Sequence, residues 1–449
     1  MAALRPWLAA LLLVAGVQAA PAWPTTEFPL SVSADRTHLR DGSGRPVLLV
    51  GDAAWSLLVQ PGDDDIELYL RDRRARGFNA LLVNLIEHQF SDHPPANAHG
   101  ERPFAGQPFE APDTAYFDRA HRVLERARAL GFTVFLAPAY IGSGGGGQGW
   151  WVEMAAAGPE RLRRYGTFLG QRFGDLDNIV WTEGGDEDAP DPALVTALAE
   201  GIRAADPGAL QTVHSRRDTV TAALWADAPW LDLDTAYTYG DVYAKVAEQR
   251  RDDHDLPVVM IESRYENERD ATPPSLREAG YGAVMAGAAG FVFGNNPIWH
   301  FDSVGLFAAA NGWKAELGGA GSVAMGHMRA FFEPLAWWRL RDDAEGRVCG
   351  WRSRFGGAKC ALADDGSFAV VYSPGGGPLR IRTDAFAGGP VCATWYAPQD
   401  GSRHPAPAPL AEGEDLVTPP LRADDSGGDS DWVLLLASCA APKAAGGRS

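Results

Sequence analysis

The feature that most constrains this chain is a repeated alternation of short apolar segments with longer segments of helical pattern. Between residues 45 and 333, eight such units follow one another. The short segments are apolar at consecutive positions, as in strands buried on both faces of a parallel sheet. Eight strand and helix units over about 290 residues predict an α/β fold, a (β/α)8 TIM barrel. The predicted strands are 47–52, 79–86, 133–140, 178–183, 210–214, 233–239, 257–262 and 290–294, and the clearest helices are 63–76, 116–130, 159–173, 192–205, 243–253 and 274–289.

The last quarter of the chain has a different pattern, in which short segments of β-forming residues alternate with Gly, Pro and Asp turns. These segments predict a small antiparallel β-sandwich domain. Its strands are expected at 359–363, 367–372, 379–383, 391–396 and 432–438. We therefore expect a barrel domain over 27–340, a β-sandwich over 346–440 and a disordered tail over 441–449.

The N-terminus and the cysteines both indicate export. Residues 1–20 carry Arg5, an apolar stretch and small residues before Pro21, which is the pattern of a cleavable signal peptide. An even number of cysteines in an exported protein favours two disulfides over free thiols, although three pairings are possible, and no C-x2-C pair supports zinc. The predicted location is secreted or periplasmic. The cysteines, all in the sandwich segment, are Cys349, Cys360, Cys392 and Cys439.

The charge of the chain excludes several classes of partner. Lys and Arg number 40 against 58 Asp and Glu, which gives a net charge of −18. Nucleic acids and anionic membranes both favour a basic surface, so neither is expected as a partner. After the signal peptide no apolar segment is long enough to span a membrane, and no Gly-x-Ser-x-Gly element supports a serine hydrolase. The oligomeric state stays open.

Acidic residues at the ends of two strands stand out, because catalytic groups of such barrels lie at the C-terminal ends of the strands. Glu183 ends the predicted fourth strand, with Asp186 three residues later, and Glu262 ends the seventh. A retaining glycosidase needs a nucleophilic carboxylate and a proton-donating carboxyl about 5 to 5.5 Å apart. Acids on the fourth and seventh strands can face each other across the barrel mouth at such a distance, so the sequence predicts a glycosidase site.

Other polar and aromatic residues near the strand ends are candidates for binding sugar. Sugars offer hydroxyl groups and an apolar face of C–H bonds, so a binding site needs hydrogen-bonding side chains and flat aromatic rings. Tyr265 is expected to hydrogen-bond the nucleophile. Arg264 could bind substrate or form a surface ion pair, and Glu266 could hold a loop arginine or meet sugar. The predicted substrate-binding residues are Asp52, Trp55, Asn84, Tyr140, Glu183, His214, Tyr239, Tyr265 and Trp299, with His300 beside the last.

Five elements, in order along the barrel, resemble the apiosidase-like glycoside hydrolase family. They are Leu48-Leu-Val-Gly-Asp52-Ala-Ala-Trp55, Arg76-Gly-Phe-Asn79, Trp181 with Gly184-Gly-Asp186, Glu262 with Tyr265-Glu266, and Asn296-Pro-Ile-Trp299. The element Trp395-x-x-Pro398-x-x-Gly401 resembles the collagen-binding β-sandwich domain that follows the barrel in this family. The resemblance implies a retaining hydrolase that uses no metal or other cofactor, with Asp186 as acid/base and Glu262 as nucleophile. Glu183 is the alternative proton donor.

The sequence therefore predicts a secreted retaining glycoside hydrolase that acts on an oligo- or polysaccharide of the plant cell wall or a related glycan. The resemblance implies release of apiose from pectic side chains. Two alternatives stay open at this point. One is an endo-acting glycanase of the same barrel class, and the other is a non-catalytic secreted protein that binds carbohydrate or matrix.

Overall fold

The computed structural model describes residues 23–143, 146–251, 256–350, 356–406, 408–420 and 429–439. The predicted signal peptide and C-terminal tail lie outside the described residues. Among the described residues, no helix is both long enough and apolar enough to cross a membrane.

Eight parallel strands form the barrel, and all eight strand predictions are confirmed. The strands are β1 (Leu49–Ala53), β2 (Ala80–Asn84), β3 (Thr133–Ala137), β4 (Ile179–Gly184), β5 (Leu210–His214), β6 (Asp234–Tyr237), β7 (Val258–Glu262) and β8 (Gly290–Phe293). Neighbouring strands pair in the order β5-β4-β3-β2-β1-β8-β7-β6. The ring closes between β5 and β6, where the Thr212 hydroxyl donates to the carbonyl of Leu233 at 2.8 Å and the Asp232 N–H donates to the carbonyl of Gln211 at 2.9 Å.

Side chains of these strands alternate between the barrel interior and the surrounding helices, because successive residues of a strand point to opposite faces. Leu82 of β2 and Val180 of β4 belong to the interior core. Leu81 and Trp181, one residue away on the same strands, belong to the core between barrel and helices. Burial on both faces explains why the strand segments are apolar throughout.

Helices surround the barrel, and the six predicted ones are present. The third helix is interrupted at Gly158, which has a φ of 75° and is followed by Pro159. The fifth, predicted to residue 253, is described as far as Arg251. The main helices are α1 (Asp63–Ala75), α2 (Thr114–Ala129), α3 (Trp151–Phe173), α4 (Pro192–Ala205), α5 (Val242–Arg251), α6 (Pro273–Met285) and α7 (Ala320–Phe332), with shorter helical turns at Thr221–Leu224 and Trp313–Glu316.

The C-terminal segment forms two antiparallel sheets, which confirms the predicted β-sandwich class. A six-stranded sheet contains, in spatial order, Leu340–Asp342, Lys359–Ala363, Phe368–Ser373, Trp432–Ser438, Val391–Tyr396 and Arg403–Pro405. A two-stranded sheet pairs Leu379–Arg382 with Glu414–Val417. The short strands at 340–342, 403–405 and 414–417 were not predicted, nor was the three-stranded N-terminal sheet of Ser31–Val32, Leu39–Arg40 and Pro46–Val47.

Two disulfides lie in this part of the chain, as predicted. Cys349 is bonded to Cys360, and Cys392 to Cys439. The second bond joins the strand Val391–Tyr396 to Cys439, which directly follows the neighbouring strand Trp432–Ser438. The structure therefore selects one of the three pairings that the sequence allowed.

A buried ion pair joins the barrel helices to the sandwich. Arg277 of α6 donates from Nε and Nη2 to the two carboxylate oxygens of Asp431, at 2.8 and 2.7 Å, and the Tyr372 hydroxyl donates to the same carboxylate at 2.6 Å. The Asp431 side chain is fully buried and that of Arg277 is 3% exposed. Since a buried charge that loses its partner is left without solvation, this contact should stabilise the docked arrangement.

We expect Asp431→Asn to lower the free energy of unfolding by about 3 kcal/mol, because Arg277 would stay buried without its main counter-charge. Chemical denaturation of the full chain measures this. Asp429→Asn is the matched control, because Asp429 contacts the same guanidinium but is 51% exposed, and such pairs contribute about 1 kcal/mol or less. Equal stabilities of the two variants would contradict the assigned role of Asp431.

Candidate active site

Asp186 is brought into the barrel mouth by a sharp turn after β4. Gly184 and Gly185 have φ values of 78° and 127°, and Asp186 itself has a φ of 57°. A Cβ atom on Gly185 would lie 2.1 Å from Cδ2 of Tyr140, so only glycine allows the chain to pass this ring. The Tyr140 hydroxyl donates to Oδ2 of Asp186 at 2.9 Å. Oδ1 of Asp186 is buried and accepts no hydrogen bond from the described residues.

Glu262 reaches the same mouth because β7 contains an irregularity. On this strand Val259 and Ile261 face the interior and Val258 and Met260 face the helices, so strict alternation would point Glu262 outward. The pairing with β6 shifts register between Met260 and Glu262. Such a bulge adds a residue to one strand and re-aims the side chain that follows. Glu262 consequently lines the central cavity with Asp186.

The Glu262 carboxylate is held by two side chains. The Tyr239 hydroxyl donates to Oε1 at 3.1 Å, and Nε2 of His214 lies 3.0 Å from Oε2. Burial and the negative charge of Asp186 together raise the pKa of Glu262 to about 7, against the lowering effect of these two contacts. The hydrogen bonds orient the carboxylate while leaving it strongly basic for a carboxyl group.

His214 connects the two acids. Its Nε2 atom lies 3.7 Å from Oδ1 of Asp186, and its Nδ1 atom lies 3.2 Å from both the Asp186 backbone nitrogen and the carbonyl oxygen of Ser215. Nδ1 can therefore accept from the Asp186 N–H or, when the ring is protonated, donate to Ser215. Burial opposes the charged ring, but the hydrogen bond with Glu262 and the charges of both acids outweigh it and raise the pKa of His214.

The separation of the two acids is the main geometric result. A carboxylate oxygen of Asp186 lies within 4.8 Å of a carboxylate oxygen of Glu262, and a ring nitrogen of His214 lies within the same distance of both. Retaining glycosidases place their two carboxyl groups about 5 to 5.5 Å apart and inverting ones about 6.5 to 9.5 Å apart. The three residues could also offer two carboxylates and an imidazole to a divalent cation, but here they already contact one another.

The cavity around these acids brings together most of the predicted binding residues. Six aromatic side chains form its walls, three of them carrying hydroxyl groups. The Trp55 indole donates to the Tyr265 hydroxyl at 2.9 Å, so Tyr239 and not Tyr265 is the tyrosine that holds Glu262. The residues lining the cavity are Trp55, Asn84, Phe90, Tyr140, Asp186, Tyr239, Glu262, Tyr265, Glu268, Trp299 and Leu306.

Among the predicted sugar-binding residues, His214 is buried behind Glu262 and does not line the cavity, and Asp52 and Glu183 point away from it, so the predictions for these two were wrong. Asp52 points to the helix layer, where it accepts a hydrogen bond from Tyr69 at 2.7 Å and pairs with Arg73 at 2.7 Å. Glu183, two residues after the outward Trp181, is fully buried behind the barrel, and burial raises its pKa well above the ordinary value. Both occupy strand positions whose side chains point outward to the helices, because successive residues of a strand point to opposite faces. Glu183 is therefore not placed to donate a proton in the cavity.

Other predicted residues have supporting positions. The Glu266 carboxylate accepts from the Gly321 N–H at 2.7 Å and from Asn295 at 2.9 Å, so it meets neither an arginine nor the cavity. Nε2 of His300 lies 2.8 Å from Oδ1 of Asn296, behind Trp299. Arg264 donates to the carbonyl of Tyr239 and pairs with the exposed Asp270.

Three cavity residues were not predicted from the sequence. Phe90 and Leu306 come from long loops after β2 and β8, which carry no strand pattern to place them. Glu268 follows β7 by six residues, and its signal was the acid-rich run from Glu262 to Asp270. A further buried acid, Glu87, lies behind Asn84 and accepts from the Ser56 hydroxyl at 2.9 Å, and burial raises its pKa to about 7.

A (β/α)8 barrel with two close carboxylates in an aromatic cavity at the C-terminal ends of its strands has the architecture of a glycoside hydrolase. A family model described as "Apiosidase-like, catalytic domain" matches residues 33–339, which is more than half of the chain. The chain therefore belongs to the apiosidase-like family, and the resemblance found in the sequence is confirmed. Residues 355–437 match a family model described as "Putative collagen-binding domain of a collagenase".

Solved structures agree with this fold. One described as "Glycoside hydrolase" has a TM-score of 0.79 at 23% identity, and the alignment covers 92% of this chain and 99% of that chain. A glycoside hydrolase family 5 protein from Bacteroides vulgatus ATCC 8482 has a TM-score of 0.80 at 23% identity, with 92% and 95% covered. No curated protein sequence matches the chain. At this identity the structures support the fold.

Proposed function

We propose that this protein is an exported retaining glycoside hydrolase, with Glu262 as the nucleophile and Asp186 as the acid/base. The observation that carries the proposal is the separation of the two acids, within 4.8 Å, at the C-terminal end of the barrel. That spacing is close to the retaining distance and too short to hold a water molecule between substrate and base, as inversion requires. The signal-peptide pattern and the two disulfides support export.

In the first step, Glu262 attacks the anomeric carbon while a proton moves from Asp186 to the oxygen of the departing group. Oδ1 of Asp186 suits this transfer, because it accepts no hydrogen bond from the described residues, with His214 Nε2 3.7 Å away, whereas Oδ2 is held by Tyr140. Two carboxylates so close disfavour a double negative charge, which keeps one proton in the pair before attack. Formation of the glycosyl ester removes the charge of Glu262 and leaves Asp186 ionised.

In the second step, the ionised Asp186 removes a proton from water, whose oxygen attacks the anomeric carbon and releases Glu262. Tyr239 and His214 bind the leaving carboxylate and so stabilise the charge that returns to it. Two inversions at the anomeric carbon give net retention. No step needs a metal ion, since the carboxyl pair and its hydrogen-bond partners supply the proton transfers and charge stabilisation.

We take the substrate to be a glycan of the plant cell wall or a related polysaccharide, with an apiosyl side chain of pectin as the first candidate from the family's description. An endo-acting glycanase of the same class is an alternative. The second candidate function is non-catalytic binding of carbohydrate or matrix by a secreted protein, because residues 355–437 match the model described as "Putative collagen-binding domain of a collagenase". We assign the barrel to 27–340 and the sandwich to 346–440, with the strand Leu340–Asp342 at the boundary pairing with the sandwich sheet.

A glycan screen tests this function. The purified protein is incubated with branched pectins and with apiose-, arabinose- and galactose-containing glycosides, and the released sugar is identified by chromatography. On an active substrate, proton NMR recorded during the first minutes should show product of the same anomeric configuration as the bond cleaved. An inverted first product would contradict the assigned roles, and binding without release in every case would favour the second candidate.

A further inference from the structure

Glu268 brings a third carboxylate into the cavity of Asp186 and Glu262. Its Oε1 atom accepts a hydrogen bond from Nε1 of Trp299 at 3.0 Å. Its Oε2 atom accepts none from the residues that the structure describes, and the side chain is partly exposed. One oxygen is therefore fixed by the indole, and the other remains available at the cavity wall. The mechanism above makes no use of this group.

The loop that carries Glu268 has an unusual backbone. Asn267 and Arg269, the residues on either side, have φ values of 65° and 51°. The left-handed region is unfavourable for side-chain-bearing residues, and such conformations persist where surrounding contacts determine them. They turn the loop so that Glu268 alone of the three points its side chain at the cavity.

Contacts on both sides of the loop hold this conformation. Nδ2 of Asn267 donates to the carbonyl of Asn296 at 3.0 Å and to Glu316 at 2.9 Å. Glu266 is anchored through Gly321 and Asn295. The guanidinium of Arg269 lies over the rings of Tyr239 and Phe307, at 5.6 and 5.1 Å from their centroids. Glu268 is thus presented by a fixed scaffold and not by a freely moving loop.

The pair of Trp299 and Glu268 has the chemistry of a sugar-binding site. An indole ring packs against the C–H face of a sugar, and a carboxylate accepts hydrogen bonds from hydroxyl groups at the edge of the same ring. Burial raises the pKa of Glu268 to about 7, so the group is a strong, charged acceptor above that pH. Trp299 is itself held by Phe90, edge to face at 5.1 Å between ring centroids. Because Glu268 fixes the indole nitrogen, the ring and the carboxylate have a set relative position.

We propose that Glu268 is a specificity-determining residue, whose Oε2 atom accepts a hydrogen bond from a hydroxyl of the glycosyl unit that lies against Trp299. This inference rests on the proposed function and deepens it by naming the class of sugar. With Asp186, Glu262 and Glu268 around one cavity, the site favours a neutral, hydroxyl-rich glycosyl unit and disfavours a uronosyl unit, whose carboxylate would lie among three acidic groups.

Glu268→Gln tests the proposal, because the amide oxygen can still accept from Trp299 while the charged acceptor for substrate is lost. On the glycoside that the screen identifies, we expect KM to rise about tenfold or more and kcat to change less, since a hydrogen bond to a charged group is strong and is present before the chemical step. Asp270→Asn is the matched control. It removes a carboxylate from the same loop that is 72% exposed, and KM should stay within about twofold.

Monodeoxy analogues of the same glycoside distinguish a direct hydrogen bond to substrate from a structural role of Glu268, because only a direct contact makes the effect of the variant depend on one hydroxyl group. Removing the hydroxyl that Glu268 binds should raise KM for the wild type and abolish the difference between wild type and Glu268→Gln. The other analogues should preserve that difference. Thermal unfolding of both loop variants checks that they are folded.

The possible outcomes distinguish a failure of this inference from a failure of the proposed function. If Glu268→Gln keeps the wild-type KM, or if no analogue removes the difference, Glu268 does not bind substrate, while loss of activity in Glu262→Gln would still support the proposed function. If the wild type hydrolyses no glycoside in the screen, the proposed function is wrong and this inference falls with it.

Discussion

Replacing Glu262 with glutamine is expected to lower kcat by about 10⁴-fold or more, because an amide of the same shape cannot form the glycosyl ester. The change keeps the side-chain volume and an oxygen that can accept from Tyr239. Steady-state kinetics on the best glycoside of the screen measure it. Near wild-type turnover of this variant on every active glycan would show that Glu262 is not the nucleophile.

The raised pKa of Glu262, about 7, also predicts how activity depends on pH. Catalysis needs one carboxylate and one carboxyl group in the pair, so kcat/KM should fall as pH rises through about 7, where the pair loses its last proton. Charging Glu262 costs more in the folded than in the unfolded protein, so its contribution to stability is complete below about pH 4.5 and is lost as pH rises through 7. Glu262→Gln should therefore be at least as stable as the wild type at pH 8, which shows by thermal unfolding that its inactivity is not misfolding.

Replacing Asp186 with glycine is expected to lower kcat/KM on natural glycosides by about 10² to 10⁴-fold, the usual contribution of general acid–base catalysis. Glycine suits this position because Asp186 has a φ of 57°, where glycine carries no strain. An aryl glycoside whose phenol is a good leaving group needs no proton in the first step and should lose far less in that step. Azide, which attacks the glycosyl ester without a base, should restore turnover and give an azide product of retained configuration.

Glu183→Gln is the matched control for Asp186, because it removes the other carboxyl near the end of β4. Glu183 is buried behind the barrel and has a pKa raised well above its ordinary value, so glutamine resembles its neutral form. We expect activity within about twofold of the wild type. If Glu183→Gln were as inactive as Asp186→Gly, or if azide rescued only the former, the acid/base assignment would have to move to Glu183.

Strand parity explains which predicted site residues were placed correctly. Asn84, His214 and Tyr239 were predicted to face the site, and each lies on the inner parity of its strand or just beyond its end. Asp52 and Glu183 occupy outward-pointing positions, and the two-residue period of their strands already places both side chains away from the site. Glu262 is the exception to the period, because the irregularity in β7 re-aims it.

Other parts of the site depend on contacts that no local pattern records. Trp55 and Tyr265, which hydrogen-bond each other, are 210 residues apart in the chain, and Tyr239 and Glu262 are 23 apart. Which tyrosine holds the nucleophile is therefore decided by the relative positions of neighbouring strands and loops. Glu268 enters the cavity only because two flanking residues adopt left-handed backbone conformations, which long-range hydrogen bonds stabilise.

The sequence by itself determined the eight-strand barrel, the β-sandwich, the presence of two disulfides and the elements that identify the family. These follow from burial on both faces of each strand, from turn residues and from the even number of cysteines, all of which are local or compositional. The tertiary structure alone decided the disulfide pairing, the inward turn of Glu262 and the third carboxylate of Glu268. Each of these depends on strand register and on packing between distant segments, which set the direction of a side chain in space.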